Sequence, residues 1–358
     1  MIPVSPLLPA IFFRYSEIQD RIWSDEPELG DLEGLNCKFV SNEILRVISM
    51  RPFSIDRVTD LCLTIKRDDV IEEIFENSIF NCFAFAYRIL DRGLLSIQSL
   101  KIHIRDEYLW FHEYYSSMHN QKGEFEEAIK FGCMRKSLFY ALKFDDLELF
   151  EEFIRNPQFK LDSLIDRPIL DWSKSCGKPT TQNISAFFGS IRCFKHIFLC
   201  NKIDLYESLL SSIYGGNMEV FHLHKSCQFS QETMMAAANS MRNDIFTWLL
   251  FDKGLRIYSK FETHNLKVFQ FLISKFGCSA KISREIRFLL SLDYGFLPFL
   301  VNYGFDINSN EKEALIHEAI KNKDKNMYRY LIEYGADINI ENNKVFLRSL
   351  GRIHSFYW

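Results

Sequence analysis

Three observations predict an all-α solenoid of stacked helix-turn-helix repeats with a helical N-terminal block. Seven segments repeat one design, a small residue, a polar turn and an aromatic-aliphatic run, anchored at Phe150, Phe194, Phe221, Phe246, Phe269, Leu297 and Tyr328. The anchors follow at intervals of 44, 27, 25, 23, 28 and 31 residues, close to one helix pair each after the first. Within a segment the apolar positions fall at i, i+3 and i+4, as in Phe246, Leu249 and Leu250 or Met327, Tyr330 and Leu331, which places them on one helical face. Only 15 Gly and 9 Pro punctuate 358 residues, fewer than a strand-and-turn fold needs.

In chain order, residues 1–130 form a helical block without a clean repeat. Its periodic stretches Val58-Leu61-Cys62-Ile65 and Ile71-Ile74-Phe75 are helical in spacing, and Lys66-Arg67-Asp68-Asp69-Val70 echoes Lys143-Phe144-Asp145-Asp146-Leu147. Degenerate repeats there would cap an array end that otherwise exposes an apolar face. Residues 131–342 are the array. Its polar breaks are Asp145-Asp146, Gly189-Ser190, Gly216-Asn217, Arg242-Asn243, His264-Asn265 and Lys323-Asp324, mostly residue types that accept turn angles or cap the following helix. Each unit therefore reads as helix, tight turn, helix. Gly254, Gly277, Gly304 and Gly335 follow the outer helices, where a left-handed residue ends a helix. The long first interval holds residues 156–181, whose Pro157, Pro168 and Pro179 mark a loop insertion. Residues 343–358 form a C-terminal cap and an aromatic tail, Phe356-Tyr357-Trp358, expected to dock as a lid on the last repeat or else to protrude as a peptide ligand for another protein.

One unit offers four or five core side chains worth roughly 1.5–3 kcal/mol each. Some 25 ordered residues, at about 1–2 kcal/mol of backbone entropy apiece, oppose them. A unit is stable only when stacked on its neighbours.

Composition narrows the function classes. Lys and Arg number 43 against 47 Asp and Glu, for a formal charge of −4, so no basic field exists to collect a phosphate backbone and nucleic acid is not an expected partner. The most apolar run, Ile79 to Leu90, includes Asn81 and Arg88 and falls short of the ~20 residues that cross a bilayer. The proline-bearing start, residues 1–9, has no basic region and does not read as a signal peptide. Nine cysteines without a C-x-x-C pair argue against a disulfide framework or a zinc ribbon. A cytoplasmic monomer is expected.

Residues 314–339, ALIHEAIKNKDKNMYRYLIEYGADIN, resemble an ankyrin repeat in His317-x-Ala319, the outer helix Tyr328 to Ile332 and the ending Gly335-Ala336-Asp337-Ile338-Asn339. Gly304-Phe305-Asp306-Ile307-Asn308 repeats that ending one unit earlier. The blocks SAFFGSIRCFK, YGGNMEVFHLHKSCQFS and NSMRNDIFTWLLFDKG resemble a divergent ankyrin-like domain of unknown function expanded in some protozoa. The resemblance covers about residues 131–342 and implies a non-enzymatic protein-binding scaffold. The Thr-Pro-Leu-His tetrapeptide survives only as Ala314-Leu315-Ile316-His317, and the intervals are shorter than the usual repeat, so the β-hairpin fingers between ankyrin units are expected to be trimmed. Contacts with a partner then shift to the concave face of the inner helices, at the positions before each turn: Lys143, Phe144, Phe187, Phe188, Tyr214, Asn239, Ser240, Lys321 and Asn322. For Phe187 and Phe188 the commoner fate of aromatics at helical spacing is burial between repeats.

No catalytic residue, cofactor or metal is expected. His222-x-His224-x-x-Cys227 carries ligand types, but side chains at i and i+2 of a helix diverge by about 200°. Ser175-Cys176-Gly177-Lys178-Pro179-Thr180 brushes a phosphate loop, yet Trp172 and Pro179 stand where the first glycine and the Ser/Thr belong. Clusters such as Glu148-x-x-Glu151-Glu152 read as solvated helix faces. The expected function is protein binding through the concave face, to partners the sequence does not name. The alternatives are an enzyme with its site in the N-terminal block or in residues 156–181, and an adaptor between membrane proteins and the cytoskeleton.

Overall fold

The computed structural model describes residues 10–24, 29–30, 32–51, 53–95, 109–168, 170–171, 173, 178–200, 205–257, 261–277, 289–290, 294–308, 315–321 and 324–337. Among them the fold is helical with no strands, beyond one isolated bridge between Leu164 and Thr180. Residues 17–256 make one compact unit, and residues 1–16 with 257–358 make another.

The larger unit takes in the second half of α1 (Ala10–Trp23), followed by α2 (Cys37–Met50), α3 (Ile55–Leu63), α4 (Asp68–Asn81), α5 (Phe83–Asp91), α6 (Leu109–Asn120) and α7 (Lys122–Phe131). Here α2 packs on α4 and α3 on α5. Polar bonds repeat at the same offset: Arg88 Nε pairs with the Asp56 carboxylate at 3.1 Å, Arg92 with Asp60, and Ser41 Oγ donates to the Glu73 carbonyl, each across 32 residues. The unit runs on through residue 130 without a break, and Arg88 Nη2 donates to the Ile129 carbonyl at 2.7 Å.

The next eight helices are α8 (Leu138–Phe144), α9 (Leu147–Ile154), α10 (Thr181–Phe188), α11 (Ile191–Cys200), α12 (Leu205–Gly215), α13 (Met218–Leu223), α14 (Gln231–Asn239) and α15 (Asn243–Phe251). Even-numbered inner helices contact one another in sequence, α8 on α10, α10 on α12 and α12 on α14, while α9, α11 and α13 form an outer row. This alternate-neighbour packing is what a stack of helix pairs produces. The anchors Phe150, Phe194, Phe221 and Phe246 are all buried.

The predicted turns close each pair. Asp145 ends α8 in a left-handed conformation (φ 56°), and Asp146 caps α9 by accepting from the Leu149 amide at 3.1 Å. Asn217 caps α13 through the Val220 amide at 2.9 Å. Turn residues also tie one unit to the next. The Asp145 carboxylate accepts the Arg192 and Cys193 amides at 3.0 and 2.9 Å, and Ser190 Oγ donates to the Leu142 carbonyl. Asn217 Nδ2 reaches the Gly189 carbonyl at 3.4 Å and Arg242 Nη2 the Gly215 carbonyl at 3.2 Å.

Gly215 sets the closest approach. A Cβ there would lie far inside van der Waals contact of the Phe187 carbonyl oxygen, because α10 and α12 meet backbone to backbone. In an isolated helix Gly→Ala gains up to about 1 kcal/mol. Here Gly215→Ala is expected to lose roughly 1–3 kcal/mol by forcing those helices apart, read as a lower midpoint in urea denaturation.

The helix-turn-helix pattern fails at residues 261–273. Residues 261–265 are irregular, not an inner helix. Thr263 Oγ1 accepts the Asn265 amide at 3.0 Å, a local bond that competes with helix, and Phe261 is buried without helical structure around it. Only the outer element, α16 (Leu266–Phe276), follows, capped by Asn265.

In the second unit, α16 is joined by a 3-10 turn (Tyr294–Phe296), α17 (Leu297–Asn302), α18 (Leu315–Lys321) and α19 (Lys325–Glu333). Phe269 and Leu297 are buried and Tyr328 is half-buried. Phe12 packs edge-on against Phe296 at 6.1 Å and stacks on Phe269 at 6.5 Å. The two matching endings bind each other: Asn308 Nδ2 donates to the Gly335 carbonyl at 3.3 Å, and the Asp337 amide to Asn308 Oδ1 at 2.8 Å. The C-terminal tail Phe356 to Trp358 lies outside the described residues.

Candidate protein-binding face

The positions before each turn divide into two classes. Phe144, Tyr214 and Asn239 are half-buried and keep surface for a contact. Lys143, Phe187, Phe188 and Ser240 are buried: for Lys143 and Ser240 this departs from presentation on the concave face, and for Phe187 and Phe188 it is the commoner fate of aromatics at helical spacing. Each has its own reason. Phe187 is covered where α12 backs onto α10, and it meets Phe188 edge-on at 5.2 Å. Ser240 turns inward, its Oγ bonded to the Ala236 carbonyl at 2.8 Å. The Lys321 side chain and all of Asn322 lie outside the described residues.

Lys143 is covered by the insertion. Its Nζ stands 3.7 Å from Asp171 Oδ1, with side chains 0% and 1% exposed. The ammonium also lies over the Phe188 ring at 5.1 Å. Burial pulls the Lys143 ammonium down to about 8, with Asp171 acting in the opposite direction. Burial raises the Asp171 carboxyl, opposed by Lys143 and by the Ser173 hydroxyl, which donates at 2.7 Å. Cys133, close enough to feel this pair, has its thiol pushed up to about 11 by burial, the reverse of what a nucleophilic cysteine needs.

Around Phe144 and Phe188 an aromatic cluster assembles. Tyr140 lies 4.6 Å from Phe144, Phe131 meets it edge-on at 5.6 Å, and Phe139 meets Phe188 edge-on at 5.9 Å. Sequence periodicity missed one member, Phe53, whose ring lies 5.6 Å from Phe144 and 5.9 Å from Phe188. It also missed Arg46, which donates from Nη2 to the Asn239 carbonyl at 2.5 Å. Arg51 caps the end of α2, but nothing local indicates where Phe53 points.

The ligand-type cluster on α13 does not converge. His222 is exposed, while His224 is buried with Nε2 2.8 Å from Ser208 Oγ and Nδ1 2.8 Å from the Val220 carbonyl. Burial lowers the His224 pKa, so the neutral ring is held as a core hydrogen-bonding group. Among the described residues no group of three His, Cys, Asp or Glu could hold a metal ion, and no helix is long and apolar enough to cross a membrane.

Comparison with curated proteins and with solved structures returns no match. The family model described as Ankyrin repeat matches residues 313–343, which span α18, α19 and the Asn308-bound ending, and gives this part of the chain ankyrin-repeat character.

Proposed function

We propose that the chain is a non-enzymatic scaffold that binds another protein along the turn edge of its inner helices. The observation that carries this reading is the continuous inner row α8, α10, α12 and α14, which sets the half-buried Phe144, Tyr214 and Asn239 at the turn ends of α8, α12 and α14. The ankyrin-repeat segment supports a protein as the partner, and the likeness of the middle blocks to the protozoan ankyrin-like domain extends that reading across 131–342. A stiff array presents side chains at repeat spacing, and a few aromatic anchors then dominate affinity. The surroundings are cytoplasmic and the working form is a monomer.

Affinity isolation from the native cell tests it with two full-length variants. Tyr214→Asp on the inner edge is expected to lose the partner, whereas Leu199→Asp, on the outer helix and 83% exposed, keeps it. Circular dichroism confirms that both are folded. A partner lost with Leu199→Asp and kept with Tyr214→Asp would move the binding face to the outer row.

The enzyme reading has one observation behind it, the convergence of Lys143, Asp171 and Cys133 under the insertion. An amine brought down to about 8 suits covalent chemistry. The near-zero exposure of Lys143 and Asp171 leaves no route for a substrate, so the pair acts as a structural tie. Labelling of Lys143 by an amine-reactive ester in the folded protein would reverse that conclusion.

A further inference from the structure

We propose that the N-terminal block closes the binding edge in cis, with the end of α2 and the α2–α3 turn as an internal ligand, and that partners present the same motif: an arginine on a helix and an aromatic seven residues later. The proposal rests on the scaffold reading and names how that edge is regulated and what it recognises.

Two contacts from one short stretch reach three different repeats. Phe53 covers the turn ends of α8 and α10 through Phe144 and Phe188. Arg46, seven residues earlier, bonds to the Asn239 carbonyl at the turn end of α14. These are positions of the predicted binding row, and all lie within one compact unit.

Both groups are held ready for the contact. Arg46 pairs with Glu43 at 2.5 Å, and Glu43 also accepts from Trp23 Nε1 at 2.8 Å. The Arg46 and Arg51 guanidinium groups lie over the Trp23 ring at 5.6 and 5.3 Å. Phe53 sits in left-handed backbone, φ 65°, a conformation a bulky aromatic rarely adopts. It is nonetheless 50% exposed. A large ring in an unfavourable conformation is still half in water. Among the described residues its ring contacts are Phe144 and Phe188, both on array helices.

The contact resembles a docked ligand more than a domain core. The Arg46 bond is a charge-assisted donor to a backbone carbonyl, and Phe53 is an aromatic anchor at the edge of an aromatic pocket. A tethered ligand competes at high effective concentration, so an external segment meets the open site only in the fraction of molecules where α2 has let go.

The test titrates a fluorescent peptide of residues 41–56 into full-length protein. The wild-type chain is compared with Arg46→Ala/Phe53→Ala, which removes the internal ligand and leaves the array side intact. Release is expected to tighten peptide binding at least ~10-fold, as it would if the closed form holds about nine molecules in ten. The same peptide carrying Phe53→Ala is expected to bind neither protein. Equal affinity for wild-type and released chains, or no binding to a released chain with an unchanged melting curve, would overturn the proposal. Should the double variant fail to fold, Arg46→Gln is read by the same criteria. A cellular partner indifferent to Tyr214→Asp would instead defeat the scaffold reading and leave the peptide result standing.

Discussion

Asp171→Ala is expected to destabilise the larger unit by about 3–5 kcal/mol, because it strands the Lys143 ammonium in a site with almost no access to water. The loss is far larger than for a surface pair such as Lys195–Glu219, whose carboxylate is 61% exposed and whose contribution is about 0–1 kcal/mol. A double variant, Lys143→Met with Asp171→Leu, removes both charges and keeps apolar volume. It is expected to recover most of the lost stability, since replacing a whole buried pair is often neutral or favourable. Chemical denaturation of the three proteins decides the matter. A loss below about 1 kcal/mol for Asp171→Ala would mean that water reaches the ammonium.

The pH dependence of that double variant follows from the two shifts. Lys143 titrates near 8 in the folded chain and from 10.5 when unfolded, so between these values the unfolded state binds more protons. Stability then rises with pH across that window. Asp171 is raised above 3.8, so above 3.8 and up to its folded value the folded state binds more protons, and stability falls as pH rises there. Both shifts make the charged pair least favourable around neutral pH. The advantage of the double variant over the wild type is therefore expected to be largest near pH 7 and to shrink on both sides.

What could be read from the chain follows from the range of each interaction. Phe150, Phe194, Phe221 and Phe246 were legible because helical period alone selects a face, and that face is buried in every one of these units. Asp146, Asn217, Asn265 and Asp324 were legible as turn residues because capping is a bond to an amide two or three residues away. Period says nothing about what lies over a face. Lys143 looked like a surface lysine until Asp171, brought back by a proline-bearing loop, closed over it. The Arg46 bond to Asn239 spans 193 residues and has no local signature at all. The missing inner helix at 261–265 belongs to an intermediate case: Thr263 and Asn265 carry the signal of a local turn, but the repeat length around them argued for a helix and outweighed it.

Phe187→Ala is expected to cost about 3–5 kcal/mol, the range for emptying a buried aromatic site. The ring is fully buried among Phe139, Leu142, Phe150, Ile184 and Phe188, a cluster shared by the first two helix pairs. Backbone contact at Gly215 prevents α12 from moving in to fill the space, so little of the cavity can collapse. In a stack of units that are individually unstable, losing one shared layer weakens coupling as well as packing. Denaturation of Phe187→Ala is accordingly expected to lose its single cooperative transition, with far-ultraviolet circular dichroism and tryptophan fluorescence no longer coincident. Phe187→Leu, which keeps most of the volume, is expected to stay within roughly 1.5 kcal/mol of wild type. The opposite pattern, unchanged melting with a lost protein partner, would restore Phe187 to the binding face and require the α10–α12 interface to be open in solution.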